Sequence, residues 1–569
     1  MTNKLPTHLS MRRAPLHVAV IVGCALVPAA TVAAQVVLPP QGDISRQRVA
    51  PLPLPPPNYD FRIQSPEKAA VPRAVDEIEF SIASVQVSGA THFPKSEVDA
   101  LFAPLLARKI VLQDLRDAAQ KLEDRYRAEG FFLTRVFVPP QQVQGGVLRV
   151  QVLEGYIGDV FVDSPNPAST RLIETLMAPV PKERPAKFNS LERRMLLIND
   201  MPGLSGTTVL QQGGALGSSE ILVSAVKVPN QYRATFSNTA SELIGPLSYS
   251  LGGTISQPFG RPGALDVTLS ASGERLKELR SANGRYAMPI GASGIVGSFG
   301  GLIAFARPGG AVAALDVRSR VMSFNARMRF PIVRSRANSV YLDVGVALNR
   351  NKTSILGEPL TDDRSTVAEA TLSWQQGNWL SGDTNVSLTL FQGLTVLGAN
   401  DATAPLPSVQ GFEPRFQRWV YTLQRNQRIA PRLSAQLNVQ GQYTSDRLAS
   451  GEAVSFGGPS IGRGYDPSLI AGERGIGLAG ELRYALPYAA EKLIEGVQLY
   501  TFADYARATV LATEIAEKQT NKISSLGLGV RMVMLGRFNV DLQGAQARRR
   551  LVADENISAR FNLNVMVVF

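Results

Sequence analysis

From about Tyr232 to Phe569 the chain alternates apolar and polar residues with a period of two, in segments separated by turn residues. From Met322 to Phe330 the even positions are Met, Phe, Ala, Met and Phe, and the odd ones are Ser323, Asn325, Arg327 and Arg329. Val340, Leu342, Val344, Val346 and Leu348 alternate with residues that include Tyr341 and Asp343, and Val386, Leu388 and Leu390 with Asn385, Ser387 and Thr389. The chain closes on Phe561, Leu563, Val565, Val567 and Phe569, interleaved with Asn562, Asn564 and Met566. Successive side chains of a strand point to opposite faces, so each segment has one greasy and one wet side. A soluble sheet with one solvated face gives the same signal. A membrane barrel is favoured because the pattern runs for ~340 residues without an amphipathic helix, enough for about 16 strands. Trp374, Trp379 and Trp419 all fall in this region, as an interfacial aromatic girdle requires. Arg327 and Arg329, on the wet side, are expected to line a polar lumen.

The start of the chain reads as an export signal. Arg12 and Arg13 precede an apolar run from Val18 to Val32, and Val32-Ala33-Ala34 offers a small-residue cleavage site before Gln35. Residues 1–34 are therefore expected to be a signal peptide, with Met11 as an alternative start; Ile21-Val22-Gly23-Cys24 faintly resembles a lipoprotein box. Cys24 is the chain's single cysteine, and His92 is the only histidine beyond the leader. Disulfides, cysteine nucleophiles and multi-histidine metal sites are excluded from the mature chain, so no enzyme, metal or cofactor is expected. The net charge of +12 suits anionic surfaces or acidic partners, but nucleic acid is not an expected partner of an exported chain.

Between leader and barrel the texture is mixed. Residues 35–75 are proline-rich, with Pro-Leu-Pro-Leu-Pro-Pro-Pro at 51–57, and read as an extended spacer. Residues 76–155 then give strand, helix, helix, strand, strand. The longer helix carries Leu112, Leu115, Ala119, Leu122 and Tyr126 on one face and ends at Glu129-Gly130. Residues 156–230 repeat that order, with Leu191, Met195 and Ile198 on one face of the second helix. Two α+β modules of about 75 residues thus lie in tandem before the barrel at 231–569.

One segment fits neither strand nor turn. Residues 457–476 contain Ser-Ile-Gly-Arg-Gly-Tyr-Asp-Pro, a glycine-rich stretch around Arg463, Gly464 and Tyr465. A loop folded into a wet lumen needs glycines for tight bends and an opposite charge on the wall to hold its own. In Val497–Tyr505 the face made by Gln498, Tyr500, Phe502 and Asp504 is the more polar, so Asp504 points inward by parity, where it can pair with Arg463.

Arg463-Gly464-Tyr465 resembles the Arg-Gly-Tyr core of the lumenal loop of two-partner secretion (TpsB) transporters, outer-membrane pores of the haemolysin-activator type (ShlB/FhaC/HecB). Phe502-Ala503-Asp504 resembles their Phe-x-Asp wall motif, and the two modules look like their POTRA (polypeptide-transport-associated) domains. The stretches at 128–160 and 191–203 are close to the family's wording, so the resemblance covers nearly the whole mature chain. It implies a monomer in the bacterial outer membrane with its POTRA domains in the periplasm, exporting a large secreted exoprotein of the adhesin or cytolysin type. Outer-membrane lipid is an implied partner, with barrel-assembly machinery and periplasmic chaperones acting in biogenesis. The implied capture surface for the unfolded substrate lies on the first module, near Leu115, Leu122, Tyr126, Phe132, Val136 and Val138, through β-augmentation. Three departures stand out. Gly462 replaces a frequent β-branched residue, Ala506 replaces a frequent glycine, and no obvious amphipathic plug helix precedes the first module. The alternative reading is an assembly factor that inserts barrels or lipids, and a passive porin or a soluble sandwich is the weaker option.

Overall fold

The computed structural model describes residues 53–56, 60–63, 79–106, 108–142, 145–487, 493–513, 517–549 and 559–569. The expected signal peptide lies outside them.

Each module is built around its helices. A short strand, β1 (Asp60–Ile63), precedes the first, which comprises β2 (Ser84–Ser88), α1 (Lys95–Phe102), α2 (Leu112–Ala128), β3 (Arg135–Phe137) and β4 (Val147–Leu153). Its sheet order is β2-β4-β3. At the start of α2 the Asp114 carboxylate accepts the Val111 N–H at 3.0 Å. That bond, with help from Arg108, holds the Asp114 carboxyl below the usual aspartate range. The apolar stripe of α2 buries Leu115, Leu122 and Tyr126 completely against Phe102, Ile110, Leu148 and Val150. Gly130, at φ +91°, turns the chain out of the helix.

The second module follows with β5 (Tyr156–Asp163), α3 (Pro167–Met177), α4 (Phe188–Asn199), β6 (Leu204–Gln212) and β7 (Ser218–Lys227). Asn166 caps α3 by accepting the Ser169 N–H at 2.9 Å, with Pro167 in the first turn. Its sheet order is β1-β6-β7-β5, with β1 parallel to β6.

The proline-rich segment is therefore more than a spacer. Residues 60–63 escape the prolines, keep their N–H groups and extend the second module's sheet. Pro53 and Pro56 keep their carbonyls, which accept from Arg329 at 2.8 Å and Arg334 at 2.9 Å.

Sixteen of the remaining described strands close into an antiparallel barrel, from Gln231–Ser237 to Ala559–Val568, which pair with each other at the seam. Seam pairing covers five positions, from Asn564↔Ser237 to Val568↔Arg233, and the Tyr232 and Phe569 backbones extend it. Along Arg318–Arg334 the outward side chains run Met322, Phe324, Ala326, Met328, Phe330, Ile332, while Ser323, Asn325 and Arg329 are buried inside. Ten residues at ~3.3 Å each, tilted ~40°, give a height of about 25 Å, the apolar band of an outer-membrane barrel. Trp374 and Trp379 face outward toward one end of the barrel and Trp419 toward the other.

The second module sits at the end marked by tight turns. Arg334 donates to Asp200 at 2.7 and 2.8 Å, in a pair whose side chains are almost wholly buried. Arg193 on α4 donates to the Pro331 carbonyl at 2.7 Å, and Gln257 donates to the Gly203 carbonyl at 3.1 Å. These contacts mark the periplasmic rim, so the long loops lie at the opposite end.

Candidate functional site: a loop locked to the lumen wall

The segment between the strands Leu433–Thr444 and Arg474–Ala485 is longer than the sequence alone indicated. It leaves the wall after Thr444 and returns at Arg474, so residues 474–476 are already strand. Inside it, Val454–Phe456 pairs with Ile470–Gly472, and the tip carries Arg463. At the loop base, Glu452 accepts from Arg418 at 2.8 Å and from the Ser365 hydroxyl at 3.2 Å.

The tip is packed and charged at once. Val454, Phe456, Ile461, Tyr465 and Ile470 form an apolar cushion against Ala479, Ala506, Ala508, Ile523 and Ala547 of the wall. Ala506, one of the departures, is fully buried in this contact. Gly462 has φ +89°, a conformation that a β-branched residue adopts only with strain, which accounts for the glycine there. A Cβ on Gly464 would lie 2.6 Å from the Ala547 backbone nitrogen, so that position needs a residue without one.

Within the cushion, Arg463 is 4% exposed. Its Nη2 donates to Asp504 Oδ1 at 2.7 Å and its Nε to Oδ2 at 3.0 Å. The third arm, Nη1, donates to Glu481 Oε1 at 2.6 Å. The guanidinium lies over the Phe502 ring at 3.6 Å. Asp504 also accepts the Gly462 and Arg463 N–H groups at 3.2 and 3.1 Å and the Ser525 hydroxyl at 3.1 Å. The Tyr465 hydroxyl reaches the Ser524 and Arg549 carbonyls at 3.0 and 2.9 Å. The structure thus brings Arg463, Gly464, Tyr465, Phe502 and Asp504 together.

Glu481 was not singled out from the sequence. It accepts from Arg463, from Arg483 at 2.7 Å and from Arg531 at 3.0 Å, and Arg531 also donates to Asp541 at 3.0 Å. Arginines 463, 483 and 531 therefore face carboxylates 481, 504 and 541, and the cluster is neutral. The signal was available. In Arg474–Ala485, Gly477, Ala479 and Glu481 are buried in the wall while Leu482 and Tyr484 face out.

Elsewhere in the lumen, Arg327 pairs with Glu369, and Arg329 with Asp343 at 2.8 Å. Beside the loop tip a cavity of about 510 Å³ is lined by the amides of Gln424, Gln436, Asn438, Gln440 and Gln543 together with Arg463, Glu481, Arg483, Arg531 and Asp541 of the cluster.

The first module corrects the expected capture surface. Leu115, Leu122 and Tyr126 are core residues with no exposed surface, because the apolar stripe of a helix is the face that folding buries. Phe132 packs edge-on against Phe188 of the second module, ring centroids 5.4 Å apart. Val136 and Val138 are half-buried against the first core. Strand β3 does form a sheet edge with Phe137 exposed, but the Val136 N–H is already taken by Glu123 Oε2 at 3.1 Å. His92 binds Glu129 at the surface at 2.9 Å. Among the described residues no group of acidic, histidine or cysteine side chains is arranged to hold a metal ion.

Comparison with known proteins fits this geometry. The Heme/hemopexin transporter protein HuxB of Haemophilus influenzae is 21% identical over 486 residues, covering 83% of this chain and 84% of its own. The outer membrane transporter CdiB of Dickeya dadantii is 22% identical over 443 residues, covering 74% and 75%. The solved structure of CdiB from Escherichia coli superposes with a TM-score of 0.70 at 18% identity, covering 93% of this chain and 95% of that one. Residues 80–155 match the ShlB-type POTRA domain. Residues 217–532, more than half of the chain, match the haemolysin secretion/activation protein ShlB/FhaC/HecB, and the chain belongs to that family of outer-membrane transporters.

Proposed function

We propose that this chain exports one large secreted partner protein through its barrel, with the two modules receiving the unfolded substrate in the periplasm and the lumenal loop holding the pore in a competent state. The observation that carries this reading is the buried Arg463–Asp504–Glu481 network, which ties a long loop to the inner wall of a closed barrel behind two POTRA modules. Membership of a transporter family supports export over barrel assembly. The network's three arginines and three carboxylates hydrogen-bond to one another, and the cavity they share with the amides beside them offers a charge-balanced polar surface to a passing chain. On the first module, capture is assigned to the β3 edge around exposed Arg135 and Phe137, with Glu123 releasing the Val136 N–H when a substrate strand pairs there.

The test is secretion of a large exoprotein partner co-expressed with the intact chain and with Arg463→Ala or Asp504→Arg. Partner is expected in the medium only with the intact chain, both variants still forming a folded barrel. Normal export by Arg463→Ala overturns the role of the loop, and export independent of the chain overturns the transport reading itself.

A further inference from the structure

The outer wall carries a second, unassigned feature at the end away from the modules. Where the apolar band stops, outward positions turn basic on four of five neighbouring strands. In one cross-strand row Arg280, Phe305, Arg320, Lys352 and Asp362 lie side by side. In the next row toward the membrane come Met322, Arg350 and Arg364. Five cations thus face one carboxylate.

Asp362 draws Arg350 and Arg364 together, at 2.7 and 3.2 Å, while leaving their side chains 45% and 48% exposed. Arg320 and Lys352 make no ion pair with any described residue; Arg320 only lies over Phe305 at 5.4 Å. Directly below, a groove of about 530 Å³ is lined by Met322, Phe324 and Leu348 from the wall and by Leu397 and Ala399 from the 395–416 loop. That loop is held to the wall by Thr366, which donates to the Val396 carbonyl at 2.8 Å, and by Asn400, whose N–H donates to the Arg364 carbonyl at 2.9 Å.

An apolar groove at the edge of the hydrocarbon, crowned by exposed guanidinium and ammonium groups, matches one kind of molecule: a lipid whose head group bears phosphate and whose acyl chains run down the wall. Arginine favours phosphate through its planar fork, and cations at a membrane surface attract anionic head groups. The head-group layer at this end belongs to the leaflet opposite the periplasmic modules. We propose that Arg280, Arg320, Arg350, Lys352 and Arg364 form a binding site for a phosphorylated, multiply acylated glycolipid of the outer leaflet. The site depends on the chain being an outer-membrane barrel and not on what the pore exports.

The test uses the full-length protein purified in detergent. The probe is hexa-acylated, bis-phosphorylated lipid A, compared with its dephosphorylated form, phosphatidylglycerol and inorganic phosphate by native mass spectrometry. Arg320→Gln/Lys352→Gln removes two cations that make no ion pair, so the barrel is expected to keep its heat-modifiable migration on gels. This variant should bind lipid A roughly thirtyfold more weakly, two surface charges being lost. Arg507→Gln/Lys522→Gln, on a cross-strand pair elsewhere on the outer wall, should bind as the intact protein does. Undiminished binding by the first variant overturns the site. So does equal loss in the second, or equal affinity for dephosphorylated lipid, phosphatidylglycerol or free phosphate.

Discussion

Arg463 and Asp504 meet in two parallel hydrogen bonds, Nη2 to Oδ1 at 2.7 Å and Nε to Oδ2 at 3.0 Å, and the same carboxylate accepts two loop N–H groups. A lysine cannot reproduce the fork, so Arg463→Lys should secrete less than the intact chain and more than Arg463→Ala. Removing one partner of such a buried pair costs about 3–5 kcal/mol. The exchange Arg463→Asp with Asp504→Arg should not rescue secretion, since a wall arginine cannot accept the Gly462 and residue-463 N–H groups. Restored export by the exchanged pair would show that charge alone matters.

Glu481 is the hub for three arginines. Glu481→Ala leaves their charges to be shared by Asp504 and Asp541, so the loop tip should leave the wall part of the time. Trypsin provides the readout: cleavage after Arg463, shielded in the intact protein, should become detectable on the folded barrel. Continued resistance would confine Glu481 to a lesser part.

At Gly464 the constraint is steric. A Cβ there would sit 2.6 Å from Ala547 N and 2.9 Å from the Gln546 carbonyl carbon, both backbone atoms of the wall. Gly464→Val should lift the tip, with overpacking of about 1–3 kcal/mol, and lower secretion although every charge remains. The check is secretion alongside heat-modifiability; full export would mean that the wall yields.

The alternation carried much of this in advance. Asp504, Arg327 and Arg329 face the lumen as their parity requires, because a period of two leaves only two faces and lipid claims one. Glu481 obeys the same parity, but nothing in a strand marks which inward carboxylate will meet a loop folded back from elsewhere. The capture surface was misread for the opposite reason. The stripe of Leu115, Leu122 and Tyr126 is equally what a docking face and a core face look like, and a small module needs its core first. Asp200 and Arg334 are separated by 134 residues, and no local pattern joins them.

That pair carries a prediction about the periplasmic rim. Arg334 is fully buried and Asp200 nearly so, with the Pro56 carbonyl taking one further guanidinium hydrogen. Asp200→Ala leaves an uncompensated buried arginine, at about 3–5 kcal/mol. Hydrogen exchange should rise in α4 and around Pro331–Arg334 while the cores of both modules stay protected. Uniform protection would mean that the second module is held to the rim by its other contacts.

Glu154 is expected to contribute acid sensitivity to the first module. Its carboxylate accepts from the Thr91 N–H at 2.7 Å, the Thr91 hydroxyl, the His92 N–H at 3.0 Å and the Tyr126 hydroxyl at 2.6 Å. Partial burial pushes its pKa up, but these donors outweigh that and leave it below the ordinary glutamate value. A carboxyl with a depressed folded pKa contributes stability that is present above its unfolded value and lost as pH falls through the folded one. The opening free energy of α2, from hydrogen exchange corrected for the intrinsic rate, should therefore be level above the ordinary glutamate range and fall below it. Glu154→Gln keeps one acceptor and loses the charge, so it should cost about 1–3 kcal/mol near neutrality and flatten that acid limb. An acid limb unchanged in Glu154→Gln would place the titrating group elsewhere in the module.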